Sequence, residues 1–282
     1  MEVIIMSELS KTVKEKYNEL QDYLANLDSL VIGFSGGVDS TFLLKVAYDV
    51  LGDKVLAVTS SAETYPAEQL EEAKELAKEI GAQHLVTYTE ELDNEDFVKN
   101  PPRRCYYCKF ELFKSLKEVA EEKGYANVAD GANYDDISDY RPGADAAKEL
   151  GVLSPLKETG FTKDDIREVS KELGLPTWNK AAFACLSSRF PYGDEITADK
   201  LEMVDQAEAY LRQYSWQQLR VRHHDENTAR IEILSEDFEQ LLNLREDIVN
   251  KFKEIGYTYI TMDLEGYRTG SMNEVLNEED KK

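Results

Sequence analysis

Residues 30–45, LVIGFSGGVDSTFLLK, constrain the fold more than any other stretch of the chain. The apolar run Leu30–Phe34 predicts a buried strand. Ser35-Gly36-Gly37-Val38-Asp39-Ser40 follows at once, and Phe42, Leu43, Val46 and Ala47 then recur at helical spacing. A strand that turns through two glycines into a helix lets the backbone approach an anion closely. The first amides of the helix point at that anion with the positive end of the dipole. Ser35, Ser40 and Thr41 add hydroxyl donors, so the element predicts a phosphate cradle. The bland alternative is a Gly-rich turn without a ligand.

The Gly-Lys-Ser/Thr ending of the kinase and GTPase loop is missing. Ser-Gly-Gly-Val-Asp-Ser instead resembles the pyrophosphate (PP) loop of the ATP pyrophosphatase superfamily. That resemblance implies cleavage of ATP between its α- and β-phosphates, with Ser35, Gly36, Gly37, Asp39 and Ser40 binding ATP and Asp39 helping to hold Mg²⁺.

The rest of the chain fits this start. A stripe of Leu9, Val13, Tyr17, Leu20 and Leu24 predicts a helix from Glu8 to Asn26. Strands are predicted at 54–60, 83–89 and 126–131, and helices at 66–80, 107–123 and 162–174. Such alternation predicts an α/β fold with a doubly wound parallel sheet. Ligands of such sheets bind beyond the carboxyl ends of the strands, where 35–40 and Asp130–Asn133 both fall. Residues 175–195 lose periodicity and predict a functional loop or junction. From Thr197 a small α+β unit follows: a helix at 198–213, strands at 219–224 and 229–234 around a turn at Asp225–Asn227, a helix at 236–255 and a strand at 257–264. The expected division is a PP-loop domain over 1–190 and an α+β substrate-binding or oligomerisation domain over 191–282.

The net charge of −23 over 282 residues argues against nucleic acid and anionic membranes as partners, since phosphate contacts need a basic surface. No stretch approaches the ~20 apolar residues that span a bilayer, and MEVIIM is too short for a signal peptide. A cytoplasmic protein with a frayed polar end over Asn277–Lys282 is expected.

The chain has three cysteines, Cys105 and Cys108 in a Cys-x-x-Cys pair and Cys185 in Ala-Cys-Leu-Ser-Ser-Arg. An odd number argues against a disulfide framework. The pair alone could be a redox couple, half a zinc site or cluster ligands. His84, His223 and His224 offer no ligand-like partner for zinc. Three thiolates suit a 4Fe-4S cluster with one iron open to an exogenous ligand such as sulfide, and Arg103, Arg104 and Lys109 would favour a net-negative cluster. Two structural thiols and a bystander are the plain alternative.

Further along, Asp130-Gly131-Ala132-Asn133 leads to Asp139-Tyr140-Arg141-Pro142-Gly143, and Trp178-Asn179-Lys180 precedes Ser187-Ser188-Arg189-Phe190-Pro191-Tyr192-Gly193. With the PP-loop, these motifs resemble the LarE family over nearly the whole chain. Its members are ATP-dependent sulfurtransferases that help to build the nickel-pincer nucleotide cofactor of lactate racemase. The resemblance implies attack of a carboxylate of pyridinium-3,5-biscarboxylic acid mononucleotide on ATP, loss of pyrophosphate, and displacement of AMP by sulfur. It places Ser188 and Arg189 at the nucleotide substrate, with Glu208 nearby to assist a metal. Arg220 and Arg222, alternating on one strand, would clamp the substrate phosphate; on spacing alone they are a solvated face, and Glu208 is a helix-surface residue.

Some members of this family sacrifice the sulfur of a cysteine in the loop before Ser-Ser-Arg. In this chain that position is Ala184, with Cys185 beside it. The chain resembles instead the members whose three cysteines hold a 4Fe-4S cluster, which makes Cys105, Cys108 and Cys185 the metal ligands and sulfide the donor. The resemblance also implies a homo-oligomer, with a hexamer as the candidate state. Three rivals share the ATP loop: a tRNA thiolation enzyme, an amidase of the GMP- or NAD-synthetase kind, and a nucleotide sensor without chemistry.

Overall fold

The computed structural model describes residues 10–62, 64, 67–137, 142–180, 185–225 and 227–277. Glu8, Leu9, Asp139–Arg141, Ala184, Glu226 and the last five residues lie outside the described residues. In chain order the elements are α1 (Lys11–Ala25), β1 (Leu30–Gly33), α2 (Val38–Leu51), β2 (Val55–Ser61), α3 (Ala67–Ile80), β3 (Gln83–Tyr88), α4 (Glu95–Val98), α5 (Arg104–Lys123) and β4 (Asn127–Ala129). Then come α6 (Gly143–Glu149), α7 (Pro155–Glu158), α8 (Lys163–Glu172), α9 (Ala198–Arg212), β5 (Leu219–His224), β6 (Thr228–Ile233), α10 (Phe238–Asn243), α11 (Arg245–Ile255) and β7 (Tyr259–Met262). The chain forms two compact units. One comprises 1–62, 67–89 and 105–183, the other 63–66, 90–104 and 184–282.

The first unit is built on a parallel sheet in the order β3-β2-β1-β4. Its central strands β1 and β2 are apolar because both of their faces are covered. Leu30 and Ile32 of β1 join Val55 and Ala57 of β2 in a core with α1, α2 and α8. Val31, Leu56 and Val58 face the other way, onto Phe113 and Leu116 of α5. This is the predicted doubly wound architecture. The order reverses between β1 and β4, so the crevice beyond those two strands is where such a sheet takes a ligand.

The second unit carries a three-stranded sheet, β5-β6-β7, in which β5 and β6 form an antiparallel hairpin and β7 pairs parallel to β6. Ala207 and Leu211 of α9 and Ile248 and Phe252 of α11 pack with Val221 and Ile231 of that sheet in one core.

Two helices differ from the sequence reading. The helix expected at 107–123 begins at Arg104, one turn earlier, so both thiols of the Cys-x-x-Cys pair stand in its opening turns. The Pro101-Pro102 pair just ahead is the local start signal. The helix expected at 236–255 is two helices meeting at Leu244. Glu246 and Asp247 open the second, as acidic residues do at helix N-termini.

Candidate active site

In the first unit, β1 ends at Gly33 and α2 begins at Val38, which leaves Ser35–Gly37 as the turn. Gly36 takes φ +64°, where other residues are strained, and a Cβ there would stand a tight 3.3 Å from Ala73, so both backbone and space favour glycine. The Ser35 and Ser40 hydroxyls lie 3.2 Å apart, and Ser40 Oγ accepts the Ser35 amide at 3.3 Å. The predicted ATP residues are thus gathered in one loop at the start of a 14-residue helix.

A second loop closes on the first. Gly131, just past β4, comes so near the start of α2 that a Cβ would stand 3.1 Å from the Ser40 nitrogen. Asp130 accepts from Ser154 Oγ at 2.9 Å and from the Ala132 amide at 3.1 Å. Burial pushes its carboxyl above the ordinary range, against the pull of Lys109 and of these donors. Two cations missed by the sequence reading complete the surroundings. Lys163, the first residue of α8, donates to Asp39 Oδ2 at 2.6 Å, and its amide donates to Asp135 Oδ2 at 2.8 Å. Lys180 donates to the Gly36 carbonyl at 3.1 Å and pairs with Glu72 at 2.7 Å. Asp39 Oδ1 is buried with no hydrogen-bond partner. The signal for Lys163 was its place after the N-cap Thr162, where a lysine opposes the helix dipole. The signal for Lys180 was its Trp-Asn-Lys motif.

The second unit holds Cys185 and the predicted substrate residues, while Cys105 and Cys108 belong to the first. Leu186–Arg189 forms a short 3₁₀ turn with Cys185 as its N-cap. Arg189 is fully buried and meets Glu208 of α9 through a bidentate pair, Nε to Oε1 at 2.7 Å and Nη2 to Oε2 at 2.8 Å. Its Nη1 donates to the Cys185 carbonyl at 3.1 Å and to Ser188 Oγ at 2.9 Å. Burial alone would discharge both partners. Mutual attraction outweighs it, holding the Glu208 carboxyl below and the Arg189 guanidinium above their ordinary ranges.

Glu208 is therefore not a helix-surface residue. It stands between Val204 and Leu211 on the buried stripe of α9, and its Oε1 also accepts the Val221 amide at 3.0 Å. The spacing 204, 208, 211 was the sequence signal. Arg220 and Arg222 part company. Arg222 is buried and donates to Glu232 at 2.7 Å, the Ser188 carbonyl at 2.8 Å and Ser271 Oγ at 3.1 Å. Arg220 is half-buried, lies over the Tyr267 ring at 5.3 Å, and is made less basic by burial and by Arg189. Glu232, buried on β6 between two isoleucines, was not foreseen.

The three cysteines carry no disulfide. Cys105 is exposed, and Cys108 and Cys185 are partly so. Cys105 and Cys108, three apart on α5, share a helix face. Among the described residues no group of three or more His, Cys, Asp and Glu side chains is gathered for a metal. No described helix is long and apolar enough to cross a membrane.

Comparison with known proteins agrees with the loop and extends beyond it. The family model described as NAD synthase matches residues 6–96. A pyridinium-3,5-bisthiocarboxylic acid mononucleotide synthase of Lactiplantibacillus plantarum is 39% identical over 94% of this chain and 96% of its own length. An uncharacterised protein of Synechocystis is 46% identical over 94% of this chain and 99% of its own. An uncharacterised protein of Methanocaldococcus jannaschii is 33% identical over 93% of this chain and 98% of its own.

Proposed function

The chain belongs to the LarE family of pyridinium-3,5-bisthiocarboxylic acid mononucleotide synthases, and on that premise we propose that it is an ATP-dependent sulfurtransferase acting on a pyridinium biscarboxylate mononucleotide in nickel-pincer cofactor biosynthesis. What carries the reading is the 39% identity with the named synthase across 94% of the chain. The NAD synthase match ends at residue 96 and speaks only for the ATP loop that amidases share.

In the first half-reaction a carboxylate oxygen of the substrate attacks the α-phosphorus of ATP, and pyrophosphate leaves. Ser35, Gly36, Gly37 and Ser40 receive the pyrophosphate with amide and hydroxyl donors aimed at the charge that develops there. Asp39 offers a fit for Mg²⁺, since its Oδ1 is buried without a partner and Oδ2 is held by a displaceable lysine. A bound Mg²⁺ would neutralise charge on the leaving pyrophosphate. Lys163, freed from Asp39, would reach the same phosphates.

In the second half-reaction sulfur adds to the acyl carbon and AMP leaves, which gives a thiocarboxylate. We assign the sulfur to a 4Fe-4S cluster held by Cys105, Cys108 and Cys185. The donors are of the right kind, because all three thiols are free of disulfides and two of them share the opening turns of α5. When bound, such a cluster would supply a site able to carry sulfide. Ser188 and Arg220 would hold the substrate nucleotide, while Arg189, Glu208 and Arg222 act from inside by fixing the turn. We assign ATP handling to the first unit and substrate binding to the second, which carries Ser188 and Arg220, in a cytoplasmic homo-oligomer, a hexamer, that takes no nucleic acid.

The test is an anaerobic assay with ATP, Mg²⁺, sulfide and the biscarboxylate mononucleotide. AMP, pyrophosphate and more than one thiocarboxylate per chain are expected. A single turnover with loss of about one H₂S from Cys185 would show sacrifice instead. An amide formed with ammonia but no thioacid with sulfide would show the amidase.

A further inference from the structure

Three buried arginines converge on the main chain of the Cys185 turn. Arg189 donates to the carbonyl of Cys185 at 3.1 Å, Arg104 to that of Ser187 at 2.9 Å and Arg222 to that of Ser188 at 2.8 Å. From sequence Arg104 was expected only as a positive charge beside a cluster. In the fold it works with Asn100, four residues earlier in the loop before α5, whose Oδ1 accepts from Arg104 Nη1 at 2.5 Å. Its guanidinium also sits over the Tyr192 ring at 5.6 Å.

Asn100 is fully buried and takes φ +50°, a conformation asparagine tolerates better than most residues. Its Nδ2 donates to the carbonyls of Pro191 at 2.6 Å and Phe190 at 3.3 Å. Its own carbonyl accepts the Gly193 amide at 2.9 Å, and the Val98 carbonyl accepts the Ile196 amide at 3.0 Å. Residues 98–104 are thus stitched to main-chain atoms of 187–196, through two side chains and two of their own carbonyls. Bonds of that kind fix a path rather than read side chains, and when buried they are costly to leave half made.

The placement in sequence gives the clamp its meaning. It holds the chain just after Cys185 and ends at Arg104, one residue before Cys105. We propose that Asn100 and Arg104 are positioning residues for sulfur delivery, a buried clamp that sets the peptide around Cys185 and the entry to the Cys-x-x-Cys helix. The proposal rests on the reading that the three thiols act together.

The experiment uses the full-length apo protein kept from oxygen. Iodoacetamide labelling with peptide mass mapping reads Cys185 against Cys105 in the same molecule. Iron retained after anaerobic reconstitution is the second readout. Arg104→Gln, and Asn100→Gly, which keeps the positive φ, should each speed Cys185 labelling relative to Cys105 about tenfold by freeing the turn to open locally. Both should lower bound iron, and Arg104→Lys should recover part of each effect. A wild-type labelling ratio with wild-type iron in both variants overturns the proposal. Wild-type protein that binds no iron sinks the cluster reading instead. The labelling ratio then decides the clamp alone, a rise supporting it and no change overturning it. Should Arg104→Gln fail to fold, Asn100→Gly is judged by the same criteria.

Discussion

The loop of the first unit and the arginine cluster of the second both rest on ion pairs, but the pairs are of different kinds. Lys163 and Asp39 meet through one contact with side chains 30% and 24% exposed, and Lys180 and Glu72 with 20% and 39%. Arg189 and Glu208 meet through two contacts at 0% and 3%, and Arg222 and Glu232 at 6% and 0%. A single contact in partial solvent contributes little to folding and is easily exchanged for a ligand. A buried bidentate pair cannot be opened without stranding a charge. The contrast separates charges free to change partners during a reaction from charges that hold a turn still.

Breaking each kind of pair should expose the difference. Glu208→Ala should cost about 3–5 kcal/mol of stability in denaturant unfolding, because it leaves Arg189 charged and buried. Lys163→Ala should cost under ~1 kcal/mol by the same measurement. Its effect should appear in pyrophosphate release, where losing a charge-assisted contact of about 1.5–3 kcal/mol slows the rate roughly 10- to 100-fold. Equal stability losses in the two variants would erase the distinction.

The same contrast explains what could be read in the sequence. The PP-loop was legible because strand, turn and helix start are contiguous, so the residues that make the site also make the local structure. Asp130–Asn133 could be placed at the same crevice because a doubly wound sheet aligns strand ends. Glu208 and Glu232 were not legible as buried residues, because their arginine partners lie 19 and 10 positions away and no local pattern announces them. The clamping roles of Asn100 and Arg104 escaped for the same reason. They bond to carbonyls 83 to 91 residues distant, and a carbonyl has no sequence signature. Lys163 carried a weak signal, since a lysine at a helix start reads as a surface charge until Asp39 is seen beside it, and Lys180 was marked only by its Trp-Asn-Lys motif.

Acid should separate the units further. The Glu208 carboxyl titrates below its ordinary range when folded, so its stabilising contribution is complete above about pH 4.3, the unfolded value, and is lost as pH falls through the folded one. Unfolding free energy measured from pH 6 downwards should therefore fall in wild-type protein. Glu208→Gln, although less stable at neutral pH, should show a shallower decline. A parallel decline in both would assign the acid sensitivity to other carboxylates.

Asp130 should behave in the opposite sense, and its effect is the smallest. Its folded carboxyl is raised by burial, so the ionised form is a cost at neutral pH that eases as pH falls through the folded value. Asp130→Asn removes that charge while its Oδ1 can still accept from Ser154 Oγ and the Ala132 amide. The variant should be more stable than wild type at pH 7 by about 0.5–2 kcal/mol, as a change that relieves strain at a functional site often is. The same substitution should weaken ATP use, since the loop that carries Asp130 presses Gly131 against the start of α2. Stability gained with activity lost would mark Asp130 as a charge kept for the reaction. Stability lost would mean that the carboxylate is structural after all, and that the loop of the first unit is built more like the arginine cluster than its exposure suggests.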